Sequence, residues 1–540
     1  MTPLLASLWM PDAATMRLIL PELMLVATLV VLLVAPLLVG RSARLTGLLA
    51  LIGAAVAAIS ALATFKLTPE AIALFTVDTP DTAMLVADKL GLYFRVFLMV
   101  FLLGVTAMWF WFDAQRTRHA PEFFTLLVAS ALGMALMVST VNLLLMVIAI
   151  ELASMPSYAL AGFDRHRKLS AEASLKYVIF GAVTSGLMIY GVSLLYGLYG
   201  TLHIPSLVTA VAQAGAGAAL SPLLVVALLA VFAGIAFKIS AVPFHFWCPD
   251  VFEGAPLPVT TWLSVASKAA GLVLLLRLVG AFTASQSAGM ERLLPVLSYG
   301  IGFFAMLTCT FANVAAYRQR NVRRMLAYSS IAHAGYMLAA GAMVLQDPRL
   351  SAAVMGAVIT YLLMYMFMNF GAFVTLGLVA ADTGSEDLEA FTGLGWRDPA
   401  TAASLTLCLV SLVGLPPMGG FIAKWWLIWS LGDAAQAAGG PLSTWLWIIV
   451  LVIALNTAIS LYYYARVIRQ MYLRGTKVTG ATLRAPLSGK LALHVCALVL
   501  LAAGTVMVGS LKNMTDGVVG PTPPAAAAQA WPTDQADMQP

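Results

Sequence analysis

Residues 231–247 read VFAGIAFKISAVPFHFW. Lys238, Pro243 and His245 interrupt a run that is otherwise apolar, and their reading decides the fold. A lysine at mid-membrane costs roughly 2.5–3.5 kcal/mol on insertion scales. Either the run is no membrane span, or the lysine faces water or a partner. Composition settles the first alternative. The chain has 540 residues, 61% of them apolar and 10% charged, with a mean hydropathy of +0.92. Apolar runs of about 18 residues or more, enough for a hydrocarbon core of about 30 Å, recur from end to end. Barrel strands of about ten residues, alternately polar and apolar, are not seen. The sequence predicts an all-α polytopic membrane protein.

Fourteen spans are expected, near 17–39, 45–64, 90–112, 122–140, 142–163, 171–199, 221–247, 257–280, 294–316, 322–345, 352–381, 400–431, 441–468 and 487–511. The segments group as N-terminal spans (1–121), a first repeat of spans four to eight (122–280), a second repeat of spans nine to thirteen (281–470), a loop with the last span (471–513), and a tail (514–540). The Pro- and Ala-rich tail is expected to be disordered. Loops after odd-numbered spans carry 18 basic residues, from Arg41 to Lys490, against 8 on the other side or its edge, among them Arg95 and Arg277. The positive-inside rule then places both termini outside the cytoplasm. The remaining four cations, Lys176, Lys238, Lys268 and Lys424, fall within spans, and among the acids Glu151 alone sits well inside one. The excess positive charge is thus topological and does not point to nucleic acid. Four scattered cysteines without a CxxC pair give no support for disulfides, zinc or iron–sulfur ligation. The full-length first apolar run, without a small-residue cleavage site, is not expected to be a cleaved signal sequence.

Glu151, Lys238, Lys268 and Lys424 together cost on the order of 10 kcal/mol if left in lipid. They persist by facing water or one another. On the helix of Glu151, Ser154 and Tyr158 share its face. Burial favours a lysine's neutral form and a nearby carboxylate its charged form, so making or breaking a Glu–Lys contact moves a proton. Glu151 is the expected counter-charge of Lys238. The competing reading is an ion pair that merely clips two helices together. Pro243 cannot donate to residue 239 and breaks the seventh span, and broken spans survive where protein or a hydrated cavity satisfies the backbone. Lys268 shares a face with Ser264 and Thr261. Lys424 follows GLPPMGG, which breaks the twelfth span as Pro243 breaks the seventh. Two discontinuous spans five apart cross in opposite directions, the signature of inverted repeats around a transport site. Lys176 stands four residues after Glu172, the favourable order for a helix ion pair, so clip and function stay open. His333 carries Ser329, Ser330 and Tyr336 on its face. Both interhelical hydrogen bonding and proton relay by a residue that titrates near neutrality fit it.

The runs ELASMPSYALAGF, ASLKYVIFGAVTSGLMIYGVSLLYG, FKISAVPFHFWCPDVFEGAP, MLAYSSIAHAGY and GLPPMGGFIAKWW resemble the antiporter-like membrane subunits of respiratory complex I across nearly the whole chain. Lysine rather than glutamate at 424, an early LPELMLV, and an ending at the fourteenth span point away from the NuoM- and NuoL-like members. The resemblance implies proton transfer, as part of a proton-translocating NADH:quinone oxidoreductase, through Glu151, Lys238, Lys268 and Lys424. His333, Lys176, His245 and Tyr158 are candidate relays. It further implies no cofactor in this chain, with NADH, FMN, iron–sulfur clusters and quinone held by partners. The partners are NuoM-, NuoK-, NuoJ- and NuoL-like subunits within a bilayer, expected to be a bacterial inner membrane. No nucleotide fingerprint is present. Rival readings are a subunit of an Mrp-type cation/proton antiporter or of a membrane-bound hydrogenase, and a scaffold whose charges are interhelical clips.

Overall fold

The computed structural model describes residues 13–68, 71–76, 82–112, 119–215, 220–285, 287–343, 348–474, 483 and 486–519. The loop cations Arg116, Arg118, Lys477 and Arg484, and the tail beyond 519, lie outside them. Twelve described helices are long and apolar enough to cross a membrane. Spans one to three are Leu20–Val39, Ala43–Leu67 and Lys89–Phe112. Spans four to six are Ala120–Met137, Leu143–Ala161 and Lys168–Tyr199. The seventh is Pro222–Ile239 followed by the half-helix Trp247–Gly254, and the eighth runs Leu257–Ala284. Spans nine to eleven are Leu293–Ala316, Val322–Leu338 and Pro348–Thr383. The twelfth is split into Pro399–Val413 and Gly419–Ala438; Gly440–Leu473 and Leu487–Thr505 complete the set. Two of the fourteen expected spans thus fall short of a continuous crossing helix. The tenth is only 17 residues long before it tightens into a 3₁₀ turn, and the twelfth is divided. The eighth and eleventh spans are the most enclosed and form the centre of the protein.

One correction concerns the end of the chain. The helix Val508–Val519 continues past Met514, where disorder was expected to begin, because Leu511, Thr515 and Val518 form a stripe buried on the protein. A short antiparallel hairpin, Ile72–Leu74 with Leu85–Ala87, was not foreseen. It is pinned to the turn between spans four and five by Val86 N–H to Ser139 O (2.8 Å) and Val141 N–H to Met84 O (3.1 Å).

The two five-span repeats carry the same clasp. Asn142 caps span five by accepting from the Leu144 and Leu145 amides, and Asn321 caps span ten by accepting from Arg324 N–H. Each cap residue forms a β-bridge to the segment after the next span, Asn142 with His203 and Asn321 with Asp387. The flanking bonds match too. Leu143 N–H donates to Leu202 O and Ile204 N–H to Val141 O; Val322 N–H donates to Glu386 O and Leu388 N–H to Arg320 O. Spans five and ten cross in opposite senses, so the clasps lie on opposite faces and the repeats are inverted.

Both breaks are made by local chemistry. Span seven stops at Ile239, where Ser240 takes a left-handed conformation (φ 61°) just before Pro243. The loosened backbone is then satisfied by protein: Ala241 N–H reaches Ala236 O (2.8 Å), Val242 N–H reaches Thr308 Oγ1 (3.0 Å), and the Trp247 indole donates to Phe237 O (3.2 Å). Span twelve stops at Gly414, also left-handed (φ 86°), a position where glycine alone is unstrained. Its second half starts against the first, with Gly420 N–H donating to Ser411 Oγ at 3.0 Å.

Candidate functional site

Four of the five in-span charges, Glu151, Lys238, Lys268 and Lys424, lie along one file through both repeats. It begins at Glu151, half-buried beside a surface groove of about 480 Å³ that Tyr158 and Ser174 also line, and hydrogen-bonded by the Ser185 hydroxyl of span six. Lys238 is fully buried, and its Nζ donates to Ser154 Oγ at 3.1 Å. Ser154 is one helical turn from Glu151 and itself donates to Ile150 O (2.6 Å). The expected counter-charge is therefore near but not in contact. Among the described residues no direct ion pair joins Glu151 to Lys238; a hydroxyl stands between them.

The file continues through the eighth span. Ser267 Oγ donates to the carbonyl of Lys238 (3.1 Å), tying the end of span seven to the residue preceding Lys268. Leu263–Ser267 forms one π-helical turn, a widening common where helices carry function. Lys268 is fully buried, its Nζ has no hydrogen-bond partner, and it lies 5.3 Å from the centroid of the Phe252 ring. Ser264, a turn earlier, accepts at its carbonyl from Ser330 Oγ (3.4 Å) of span ten, and Tyr365 donates to Ser330 at 2.8 Å. This hydroxyl pair leads into the second repeat.

There, His333 is enclosed by tyrosines. Its Nδ1 lies 2.8 Å from the Tyr361 hydroxyl and its Nε2 3.4 Å from that of Tyr464, which also bonds Ser329. Tyr336 packs edge-on against the imidazole, and Lys424 Nζ lies 4.9 Å from the Tyr336 ring centroid. The same ammonium donates to Leu412 O (3.0 Å) and Val413 O (2.8 Å), at the carbonyl-rich end of the first half of span twelve. That end carries partial negative charge.

The remaining candidates fall beside the file. Tyr158 is buried against Tyr177 next to Glu151. His245 lies on the break of span seven against the Phe311 ring, its Nδ1 unpartnered. Lys176 is not in the file. It pairs with Glu172, as its spacing suggested, and with Asp250 of the half-helix Trp247–Gly254, each at 2.6 Å. Arg324 joins Asp250 (2.7 Å) and Glu253 (2.6 Å), so this cluster ties spans six, seven and ten at one end of the protein.

Sequence reading missed several buried groups. Arg95 and Arg277, assigned to an edge by topology, are both buried within helices. Arg95 pairs with Glu22 at 2.9 Å and donates to Leu18 O, and Arg277 grips Asp88 through two bonds of 2.8 Å. Asp88 stands outside the spans, and burial pushes its carboxyl up, but the Arg277 guanidinium and the Gly91 amide outweigh this and hold it below the usual aspartate range. Tyr361 with Tyr365, and Tyr463 with Tyr464, were visible only as aromatic residues within spans.

With this geometry in hand, comparison with known proteins is informative. The NADH:quinone oxidoreductase/Mrp antiporter transmembrane family matches residues 140–453, which include Glu151, Lys238, Lys268, His333 and Lys424, and the chain belongs to it. Within that family, the chain is 42% identical over 423 residues to NADH-quinone oxidoreductase subunit N of Anaeromyxobacter sp. (strain Fw109-5), covering 76% of this chain and 80% of that protein. It is 40% identical over 511 residues to NADH-quinone oxidoreductase subunit N 2 of Sorangium cellulosum, covering 92% and 95%. Among solved structures it is similar to a chain of respiratory complex I from Thermus thermophilus with bound aureothin, with a TM-score of 0.71 and 28% identity over 91% of this chain and 98% of that one. The recognised relatives are thus of the subunit N (NuoN) type.

Proposed function

We propose that this chain is the N-type proton-translocating membrane subunit of an NADH:quinone oxidoreductase, and that the buried file is its proton path. One observation carries the reading. Glu151, Lys238, Lys268, His333 and Lys424 follow one another across packed spans, with Ser154 bonded to the Lys238 ammonium, Ser267 tied to the Lys238 carbonyl, Ser330 to the Ser264 carbonyl, and the Tyr336 ring against both His333 and Lys424, in a membrane interior where isolated charges are not tolerated. Protons pass by successive changes of charge along the file, with Ser154, Ser267, Ser330 and the His333 tyrosines as connectors. Such connectors exchange protons through rotating hydroxyls. Lys268, buried without a hydrogen-bond partner, is the group whose proton is least anchored and serves as the central exchange point. Lys176, held by two carboxylates, acts as a clip; His245 and Tyr158 flank the path. The boundaries 122–280 and 281–470 divide it into two halves.

NADH oxidation, flavin, iron–sulfur and quinone chemistry belong to partner subunits, of which NuoM-, NuoK-, NuoJ- and NuoL-like chains are the membrane neighbours. The setting is a bacterial inner membrane with both termini on the non-cytoplasmic side. The Mrp-type reading shares the family but not the subunit N relatives. The test is Lys268→Met in the assembled complex within membrane vesicles. Proton uptake per NADH oxidised is expected to fall while the complex still assembles. Unchanged uptake overturns the proposal, and sodium-dependent exchange without NADH favours the antiporter.

A further inference from the structure

Among the described residues, Lys424 is seated without a carboxylate. Its ammonium has three donors. Two go to the last-turn carbonyls of Leu412 and Val413, and the remaining side meets the face of Tyr336. Each of these surfaces is electron-rich, the carbonyls by their lone pairs and the helix end, the ring by its quadrupole. Gly414 leaves room for the stem: a Cβ there would lie 2.8 Å from Lys424 Cδ.

The ring is itself held by a polar cluster away from the file. Asn313 Nδ2 of span nine donates to the Tyr336 hydroxyl at 2.8 Å and to Asn456 Oδ1 of span thirteen at 3.0 Å. Its Oδ1 accepts from the Tyr463 hydroxyl at 3.0 Å, and Asn456 Nδ2 donates to Thr310 Oγ1 at 3.0 Å. Asn313, Asn456, Tyr336 and Tyr463 are all at most 2% exposed. Packing alone is met by leucine in such a place. A buried amide pair is tolerated only when satisfied, and then it fixes geometry.

We infer that Tyr336 is the positioning residue for the Lys424 ammonium, its ring fixed by the Asn313–Asn456–Tyr463 cluster, and that the seat so formed accepts a cation and rejects a carboxylate. The inference rests on the proposed reading of Lys424 as a member of the proton path. A glutamate placed at 424 meets two carbonyl oxygens and the negative face of a ring, so the seat demands the lysine.

The test compares variants in the assembled complex, in vesicles, as proton uptake per NADH oxidised, with assembly followed on native gels. Tyr336→Phe keeps the ring face but loses the Asn313 bond that fixes it, and is expected to fall between the wild type and Tyr336→Leu. Tyr336→Leu stays apolar but removes the face and is expected to lower uptake about thirtyfold, the scale of a desolvated cation–π contact. Lys424→Glu is expected to be as inactive as Lys424→Met. Full uptake in Tyr336→Leu overturns the inference, as does a loss in Tyr336→Phe equal to that in Tyr336→Leu, which makes the hydroxyl the active part. Should Tyr336→Leu fail to assemble, Lys424→Glu decides: full uptake there overturns the cation seat, and loss supports it. Full uptake in Lys424→Met is a different failure, since it removes Lys424 from the path altogether.

Discussion

Replacing Lys238 by methionine separates a working charge from a structural one. The side chains are similar in length, and the change removes only the ammonium and its contacts. The structure gives Lys238 a single hydrogen bond, to the Ser154 hydroxyl at 3.1 Å, in a site with no exposure. A hydrogen bond from a charged donor contributes about 1.5–3 kcal/mol. Ser154 keeps its own bond to Ile150 O after the substitution, so no buried donor is orphaned. Against that loss stands the recovered cost of a mid-membrane lysine, roughly 2.5–3.5 kcal/mol. The difference lies between about −0.5 and 2 kcal/mol, most of that range in favour of methionine. Lys238→Met is therefore expected to assemble as well as the wild type, to withstand heating at least as well, and to lose coupled proton uptake. Thermal inactivation of NADH oxidation and proton uptake by the same vesicles provide both readings. The reasoning fails if the variant complex is clearly less heat-stable while its surviving fraction takes up protons normally. That outcome identifies Lys238 as a clip.

Two further expectations rest on other parts of the protein. Because Asp88 titrates below its ordinary value of 3.8 through Arg277, its stabilising contribution is complete above that value and fades as pH falls through the lower folded value. Asp88→Asn should cost about 3 kcal/mol near neutrality by leaving Arg277 buried and unpaired, with the gap in thermal midpoint from the wild type narrowing in strong acid; a gap independent of pH counts against the pairing. Gly414→Ala forces alanine into a left-handed conformation, at about 1–2 kcal/mol, and pushes on Lys424 Cδ. It should depress proton uptake more than it depresses thermal stability, and equal uptake at reduced stability counts against the close approach.

The spans were legible because a bilayer leaves a strong compositional signature, and the charges were legible because nothing around them explained them. Lys238, Lys268 and Lys424 stood out as cations that topology did not use. The connectors were not legible for the opposite reason. Ser154 could be placed on the face of Glu151 by helical spacing, but only the packing of span seven against span five brings the Lys238 ammonium to it. Tyr361, Tyr365 and Tyr464 read as ordinary apolar bulk, because an aromatic in a span carries no mark of where its hydroxyl points. Arg95 and Arg277 were misjudged because a count of basic residues by side cannot tell an arginine in the headgroup region from one drawn inward by Glu22 or Asp88.

The repeats show why self-similarity was faint in the sequence although the folds match. Each repeat ends a half-helix in a left-handed residue, Ser240 or Gly414, and each carries a lysine near the break. In the first repeat that lysine, Lys238, lies on the terminating helix itself, one residue before its end. In the second, Lys424 lies on the following half-helix and reaches back to Leu412 and Val413. The second ammonium sits at the negative end of a broken helix, the first is bonded to the Ser154 hydroxyl of span five, and the two lysines lie on opposite sides of their breaks. Setting Ser240 against Gly414 therefore puts Lys238 opposite Leu412 and Lys424 opposite Asp250. What the halves share is a break beside a buried lysine, together with the Asn142 and Asn321 clasps.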